Sequence, residues 1–138
     1  QSFTLNVLDK RQTLTEKLVS LIRFSLSDNY TYDVAAKIRH FYDLHYLLQD
    51  TECDEYLQSE QFKTDFNTLL AHDRETFDKP EGWNTMEIGQ SPLLSDFPAL
   101  WSNLKDTYLK ELPAIAFSEI PSVDVVAKSF EEIKKHIL

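Results

Sequence analysis

Apolar side chains recur every three or four residues along most of the chain, which is the spacing of an amphipathic α-helix. In the first such segment, for example, Leu14, Leu18 and Leu21 share one face. The pattern predicts five helices, over residues 13–26, 33–49, 59–77 and 96–112 and from 122 onward. No internal repeat and no low-complexity tract interrupts them. The chain is therefore expected to be all-α, a compact array of about five helices.

Capping residues predict where these helices begin. Thr13 and Glu16 have the spacing of a capping box, in which each side chain bonds a free backbone amide of the other residue. Asp33 is placed to cap the second helix, and Ser59 the third. Residues 3–8 alternate weakly between apolar and polar side chains, which predicts a short extended segment at the N-terminal end.

Length and composition narrow the fold further. The 138 residues, 42% of them hydrophobic, suit a single domain with a core that needs no metal or disulfide. Only two glycines occur, which argues against glycine-rich phosphate loops and against many-turned β-sandwiches. Both lie in the long connection over residues 78–95, where Trp83 indicates packing rather than a free loop.

Targeting signals and cysteine usage bear on the compartment. No apolar run approaches the roughly 20 residues needed to cross a bilayer, and no signal-peptide pattern opens the sequence. The single cysteine, Cys53, has no partner for an internal disulfide. A cytoplasmic protein without a membrane partner is therefore expected.

The first residue is Gln1 rather than methionine, so we expect residues 1–138 to be one helical domain of a larger protein.

Net charge limits the partners. The chain has 23 acidic and 14 basic residues, a formal net charge of −9. Non-specific binding to nucleic acid relies on clustered lysine and arginine, so the segment as a whole does not fit that role. The ordinary interpretation of the acidity is solubility.

The second predicted helix has two packed sides. One side carries the stripe of Val34, Ile38, Phe41, His45 and Leu48. Asp43 points away from this stripe, among neighbours too apolar for plain solvation, and Arg39 lies one turn before it. Two interpretations stay open: Arg39 and Asp43 form a structural ion pair, or both have a catalytic role. The arginine-first order is the weaker one on an isolated helix, so helix stabilisation alone explains the pair poorly.

The four histidines do not have the spacing of a metal site, and no metal ligand is predicted. Arg39 and His45 resemble the HEPN ribonuclease motif, in which the histidine would move a proton and the arginine would steady a phosphate. His45 lies on the apolar stripe, where a core histidine is the simpler interpretation. Lys17 likewise has an ordinary interpretation, as a lysine at the border of an apolar helix face.

Four segments, Arg11–Leu18, Arg39–His45, Ala71–Phe77 and Leu112–Pro121, together resemble the AbiEii nucleotidyltransferase toxin family of type IV toxin–antitoxin systems. Residues 11–18 look like its "R-T-x-x-E-K" segment, and residues 39–45 look like its "R-x-x-x-D-L" motif. Residues 71–77 resemble its "H-K-x-x-F-F" segment, with Asp73 where the lysine is usual. Residues 112–121 are similar to the segment before the last helix.

The resemblance implies the C-terminal helical part of a nucleotidyltransferase. The family's N-terminal domain carries a Gly-Ser turn and metal-binding acids on a sheet, and this sequence has no Gly-Ser dipeptide. By similarity, Lys17 would bind nucleotide phosphates, while Asp43 would serve the acceptor or hold Arg39. Nucleoside triphosphate, Mg²⁺ and an RNA acceptor such as transfer RNA would belong to the intact parent.

The chain alone is then expected to be inactive, and no antitoxin contact can be assigned. The alternatives are a HEPN-like ribonuclease and a helical interaction module without enzymatic activity.

Overall fold

The computed structural model describes residues 7–112 and 121–137. This part of the chain is helical, as the sequence predicted, and the described residues contain no β-strand. Within the described ranges, eight α-helices replace the expected five: α1 Val7–Ser25, α2 Tyr30–Ala35, α3 Ile38–Gln49, α4 Thr51–Leu57, α5 Glu60–Thr76, α6 Pro92–Ser95, α7 Phe97–Glu111 and α8 Val123–Lys134. None of the helices among these residues is long and apolar enough to cross a membrane.

The predicted start of the first helix is wrong. Helix α1 begins at Val7, so Thr13 and Glu16 lie inside it and form no capping box. The residues before Thr13 include Lys10, Arg11 and Gln12, all good helix formers, and the helix continues through them. The predicted extended segment over residues 3–8 is wrong at residues 7 and 8, which are helical, and residues 3–6 lie outside the described part.

The predicted second helix is two helices, α2 and α3, with the break at Ala36 and Lys37. The Lys37 backbone leaves helical geometry, with φ −109° and ψ 22°. Asp33 caps neither helix but lies within α2, where its carboxylate accepts a hydrogen bond from the Ser27 hydroxyl.

The segment between the predicted helices 33–49 and 59–77 is also helical, over Thr51–Leu57, because Asp50 caps α4. Its Oδ1 accepts hydrogen bonds from the backbone amides of Glu52 at 3.0 Å and Cys53 at 3.2 Å. A side-chain oxygen that satisfies these free amides stabilises the first turn of a helix.

Two other predicted starts are confirmed. The Ser59 hydroxyl accepts a hydrogen bond from the Phe62 amide, and that of Ser122 from the Val125 amide, both at 3.2 Å. Helices α5, α7 and α8 match the predicted segments to within a few residues. These caps depend on residues three apart in sequence, so a short pattern is enough to locate them.

Helix α1 lies at the centre of the core and packs against α2, α3, α4 and α5. Leu14, Leu18, Leu21 and Ile22 are fully buried on it. A second part of the core is aromatic, where Phe41 of α3 meets Phe97, Trp101 and Phe130 at ring-centroid distances of 6.2, 5.2 and 5.4 Å. The core therefore fixes both α1 and α3.

The connection over residues 78–95 is packed, as Trp83 suggested. The Trp83 ring is fully buried, and its Nε1 donates a hydrogen bond to the Phe77 carbonyl at 2.9 Å. Gly82, at φ +83°, makes the turn that leads into it. Two short 3₁₀ helices, Trp83–Thr85 and Ile88–Gln90, and α6 fill the rest of the segment.

Phe41→Ala should destabilise the fold by about 3–5 kcal/mol, because Phe41 is 1% exposed and removing its ring leaves a cavity among three aromatic rings. Tyr32→Ala is the control, since Tyr32 is 70% exposed and its loss should cost about 0.5 kcal/mol or less. Urea unfolding followed by circular dichroism measures both. Equal midpoints for the two variants would contradict the assignment of Phe41 to the core.

Candidate functional site

An ion pair between α1 and α3 joins two of the residues predicted from the sequence. The Lys17 Nζ lies 2.9 Å from the Asp43 Oδ2 and donates a hydrogen bond to it. The side chains are 23% and 39% exposed, respectively, so solvent reaches both. The two residues are 26 positions apart in sequence and meet only because the helices pack together.

The core determines where these charges lie. Lys17 precedes the fully buried Leu18, so it stands at the border of the apolar face of α1. Asp43 follows Phe41 and precedes Leu44, both 1% exposed, which place the opposite side of α3 at the surface. The pair thus sits where the two helices meet solvent.

The ion pair forms one wall of a groove, which we call the α1–α3 groove. Its volume is about 690 Å³, and its lining residues are Lys10, Thr13, Lys17, Tyr42, Asp43, Tyr46, Leu47 and Asp50. This volume is within the usual range of small-molecule sites. The groove has polar surface from its two lysines and two aspartates, and aromatic surface from its two tyrosine rings.

A second ion pair lies in the same groove. The Lys10 Nζ is 2.8 Å from the Asp50 Oδ2. The hydrogen bond from Lys10 lowers the pKa of Asp50, and the Cys53 amide lowers it further. The same hydrogen bond raises the pKa of Lys10. Both groups therefore remain charged at neutral pH. The sequence analysis missed this pair, because its members are 40 positions apart and no local spacing connects them.

Arg39 is not the partner of Asp43. It is exposed, and its guanidinium forms no ion pair or hydrogen bond with any of the residues that the structure describes. Of the two interpretations of Asp43, the intrahelical ion pair is thus wrong, because Lys17 reaches the carboxylate from the facing helix. Arg39 lies one turn of α3 before Asp43, and within the described part of the chain its charge has no ion-pair partner.

His40 adds an uncharged group close to the Lys17–Asp43 pair. Burial lowers its pKa from 6.5 to about 4, and the positive charges of Lys17 and Lys37 lower it as well. The imidazole is therefore neutral at physiological pH and does not add to the positive charge. The sequence could have predicted that His40 lies near Asp43, because residues three apart on a helix share a face.

His45 is a core histidine, as its place on the apolar stripe indicated. Its Nδ1 lies 2.7 Å from the Ser129 Oγ of α8, and the residue is 9% exposed. Burial lowers its pKa. Arg39 is exposed while His45 is buried, so the two residues of the HEPN-like pattern do not face a common site.

Arg11 belongs to a different groove, on the other side of α1. Its guanidinium lies over the Tyr56 ring at 5.3 Å. The Tyr56 hydroxyl donates to the Asp65 Oδ2 at 2.6 Å and also lies 3.1 Å from the Thr15 Oγ1. Burial, followed by the hydrogen bond to Asp65, raises the pKa of Tyr56 to about 12. This network ties α1 to α4 and α5.

Comparison with known proteins bears on this site. A model of the family described as "Nucleotidyl transferase AbiEii toxin, Type IV TA system" matches residues 1–133. No curated protein matches the chain, and no solved structure does. The matched range contains both ion pairs of the α1–α3 groove.

The low pKa of His40 predicts a pH dependence of folding. The folded chain, with a His40 pKa of about 4, binds fewer protons than the unfolded chain at pH values below about 6.5. Stability should therefore fall as the pH is lowered from 6.5 toward 4, and His40→Gln should make this fall less steep. Urea unfolding at several pH values measures it, with His72→Gln on α5 as the control for removing a histidine. An unchanged slope in His40→Gln would contradict the prediction.

The burial of His45 predicts that the purified chain leaves RNA intact. A histidine held against Ser129 and 9% exposed is not available to move a proton of a bound RNA. Gel electrophoresis of a labelled RNA after incubation with the chain and a chelator tests this. Metal-independent cleavage that His45→Ala abolishes would support the ribonuclease alternative instead.

Proposed function

The chain belongs to the nucleotidyl transferase AbiEii toxin family of type IV toxin–antitoxin systems, as its four sequence segments predicted, and we propose that the α1–α3 groove is its part of a nucleotide-transfer site. The observation that carries the proposal is the Lys17–Asp43 ion pair. These are the two residues to which the family resemblance assigns a role, and they meet in a groove large enough for a nucleotide.

Lys17 is proposed to bind the nucleotide phosphates. An ion pair that is partly open to water contributes little to stability, about 0–1 kcal/mol, so its lysine can exchange one partner for another at small cost. With Asp43 engaged by the acceptor, the Lys17 ammonium would donate to a phosphate oxygen. It would stabilise the negative charge that develops there during transfer.

Asp43 is proposed to accept the proton of the acceptor hydroxyl. In the transfer, the acceptor oxygen forms a bond to the α-phosphorus, and the bond from that phosphorus to the pyrophosphate oxygen breaks. Pyrophosphate leaves with the bonding electron pair, and the hydroxyl proton passes to the Asp43 carboxylate. The carboxylate is 39% exposed, which leaves it accessible to such an acceptor.

Arg39 is proposed to bind a phosphate of the acceptor. Its guanidinium is exposed, lies one turn from Asp43 and has no ion-pair partner within the described ranges 7–112 and 121–137. A planar guanidinium binds phosphate oxygens in pairs, which suits an RNA backbone.

The metal-binding half of the site is proposed to lie in a separate nucleotidyltransferase domain of a longer parent protein. Among the residues that the structure describes, no group of three or more His, Cys, Asp and Glu side chains is placed to hold a metal ion. We therefore assign no Mg²⁺ ligand and no metal-dependent step to this chain. A cytoplasmic parent, an RNA acceptor and an antitoxin partner are part of the same proposal.

Lys17→Ala and Asp43→Asn should each lower nucleotide transfer by the parent by roughly 10²–10³-fold, because each removes a group that acts on the transferred phosphate or its acceptor. The melting temperature should stay nearly unchanged, since the ion pair is partly exposed. Incorporation of labelled nucleotide into RNA and thermal unfolding measure the two effects.

Lys134→Ala is the matched control, because Lys134 also forms an ion pair, at 2.8 Å to Glu131, but does so on α8. It should retain full transfer activity. The proposed roles are wrong if Asp43→Asn keeps full activity, or if it unfolds the protein rather than slowing transfer.

A further inference from the structure

We propose that Tyr42 and Tyr46 form a stacking surface for a nucleobase in the α1–α3 groove. The inference rests on the proposed function, because it names the part of the substrate that lies beside the Lys17–Asp43 pair. It assigns a binding role to two aromatic residues that the phosphate chemistry leaves unused.

The two tyrosine rings contact each other edge to face, so the face of one ring is the surface on which a base would stack. They lie one turn apart on α3, with ring centroids 4.9 Å apart and an interplanar angle of 63°. Tyr46 is 46% exposed, and both residues line the same groove as Lys17 and Asp43. Leu47 lies beside them in the groove wall. An aromatic surface thus adjoins the ion pair directly.

Stability of the fold does not account for Tyr46. The side chains of α3 that enter the core are Ile38, Phe41, Leu44 and His45. Tyr46 instead contacts the rings of Tyr42 and His45 from outside, and almost half of its surface remains in water. Tyr32 is more exposed still, at 70%, but it is not among the residues that line the groove.

The ammonium groups of Lys10 and Lys17 lie in the groove with the tyrosines, each bonded to a carboxylate, so the formal charges of the two ion pairs cancel. A phosphate can reach an ammonium there when a lysine exchanges its carboxylate for it, which the partial exposure of the Lys17–Asp43 pair allows. A nucleobase stacks on an aromatic ring while its phosphate meets a lysine, and stacking tolerates any base. The base could come from the incoming nucleotide or from an RNA acceptor.

The test compares probes with and without a base. The chain is titrated by calorimetry with ATP, with inorganic tripolyphosphate, with a short single-stranded RNA and with the same RNA lacking its bases. Tyr46→Ala should weaken binding of the base-bearing probes by roughly 5- to 100-fold and leave tripolyphosphate binding unchanged. Tyr46→Phe should bind as the wild type does, because it keeps the ring. If Tyr46→Ala loses affinity for ATP, the nucleotide is the source of the base. If it loses affinity for the RNA alone, the acceptor is the source.

Two controls separate this inference from the proposed function. Tyr32→Ala removes an exposed tyrosine outside the groove and should change no affinity, while circular dichroism verifies that every variant is folded.

Lys17→Ala should weaken the binding of ATP and the binding of tripolyphosphate alike. If Lys17→Ala does so but Tyr46→Ala binds every probe normally, the stacking surface is wrong and the phosphate site stands. If Tyr46→Ala alone loses affinity, the phosphate role of Lys17 is wrong. Failure of the wild-type chain to bind any base-bearing probe would overturn the inference.

Discussion

The burial of one face of α1 is the constraint on which the rest of the structure depends. Its side chains Leu14, Leu18, Val19, Leu21 and Ile22 are inaccessible to solvent, and helices α2, α3, α4, α5 and α6 pack against it. Burial of this much apolar surface fixes the rotation of α1 about its own axis. Once that rotation is set, Lys17 can only lie at the rim of the core, facing α3. The position of the charge is thus a consequence of hydrophobic packing.

Helix α3 is held in the complementary way. The ring of Phe41 is enclosed by aromatic side chains of α7 and α8, and His45 bonds Ser129 on α8. One side of α3 is therefore committed to the core, and its other side presents Asp43, Tyr42 and Tyr46 to the groove. The groove runs along the line where α1 and α3 meet. Because both helices are held by the core, they suit a site that must hold a substrate in a defined position.

Sequence reasoning succeeded where short-range chemistry decides the structure. The caps at Ser59 and Ser122, the all-helical class and the buried Trp83 follow from patterns within a few residues. Thr13 shows the limit, because a capping pattern inside a longer run of helix formers has no free amides to satisfy. The choice of Lys17 came from resemblance to a family, whereas Asp43 was also singled out by its place on the second side of a predicted helix. Their pairing, and that of Lys10 with Asp50, depends on how α1 packs against other parts of the chain, which helical periodicity does not specify.

Asp50 divides its two oxygens between different tasks. Oδ1 holds the first turn of α4, and Oδ2 holds Lys10 in the groove. One side-chain rotamer of Asp50 therefore serves both contacts. Helix α4 in turn carries Tyr56, whose hydroxyl donates a hydrogen bond to Asp65 and whose ring lies under the Arg11 guanidinium. The Asp50 carboxylate and α4 thus connect the two grooves on either side of α1, because Asp50 caps the helix that carries Tyr56.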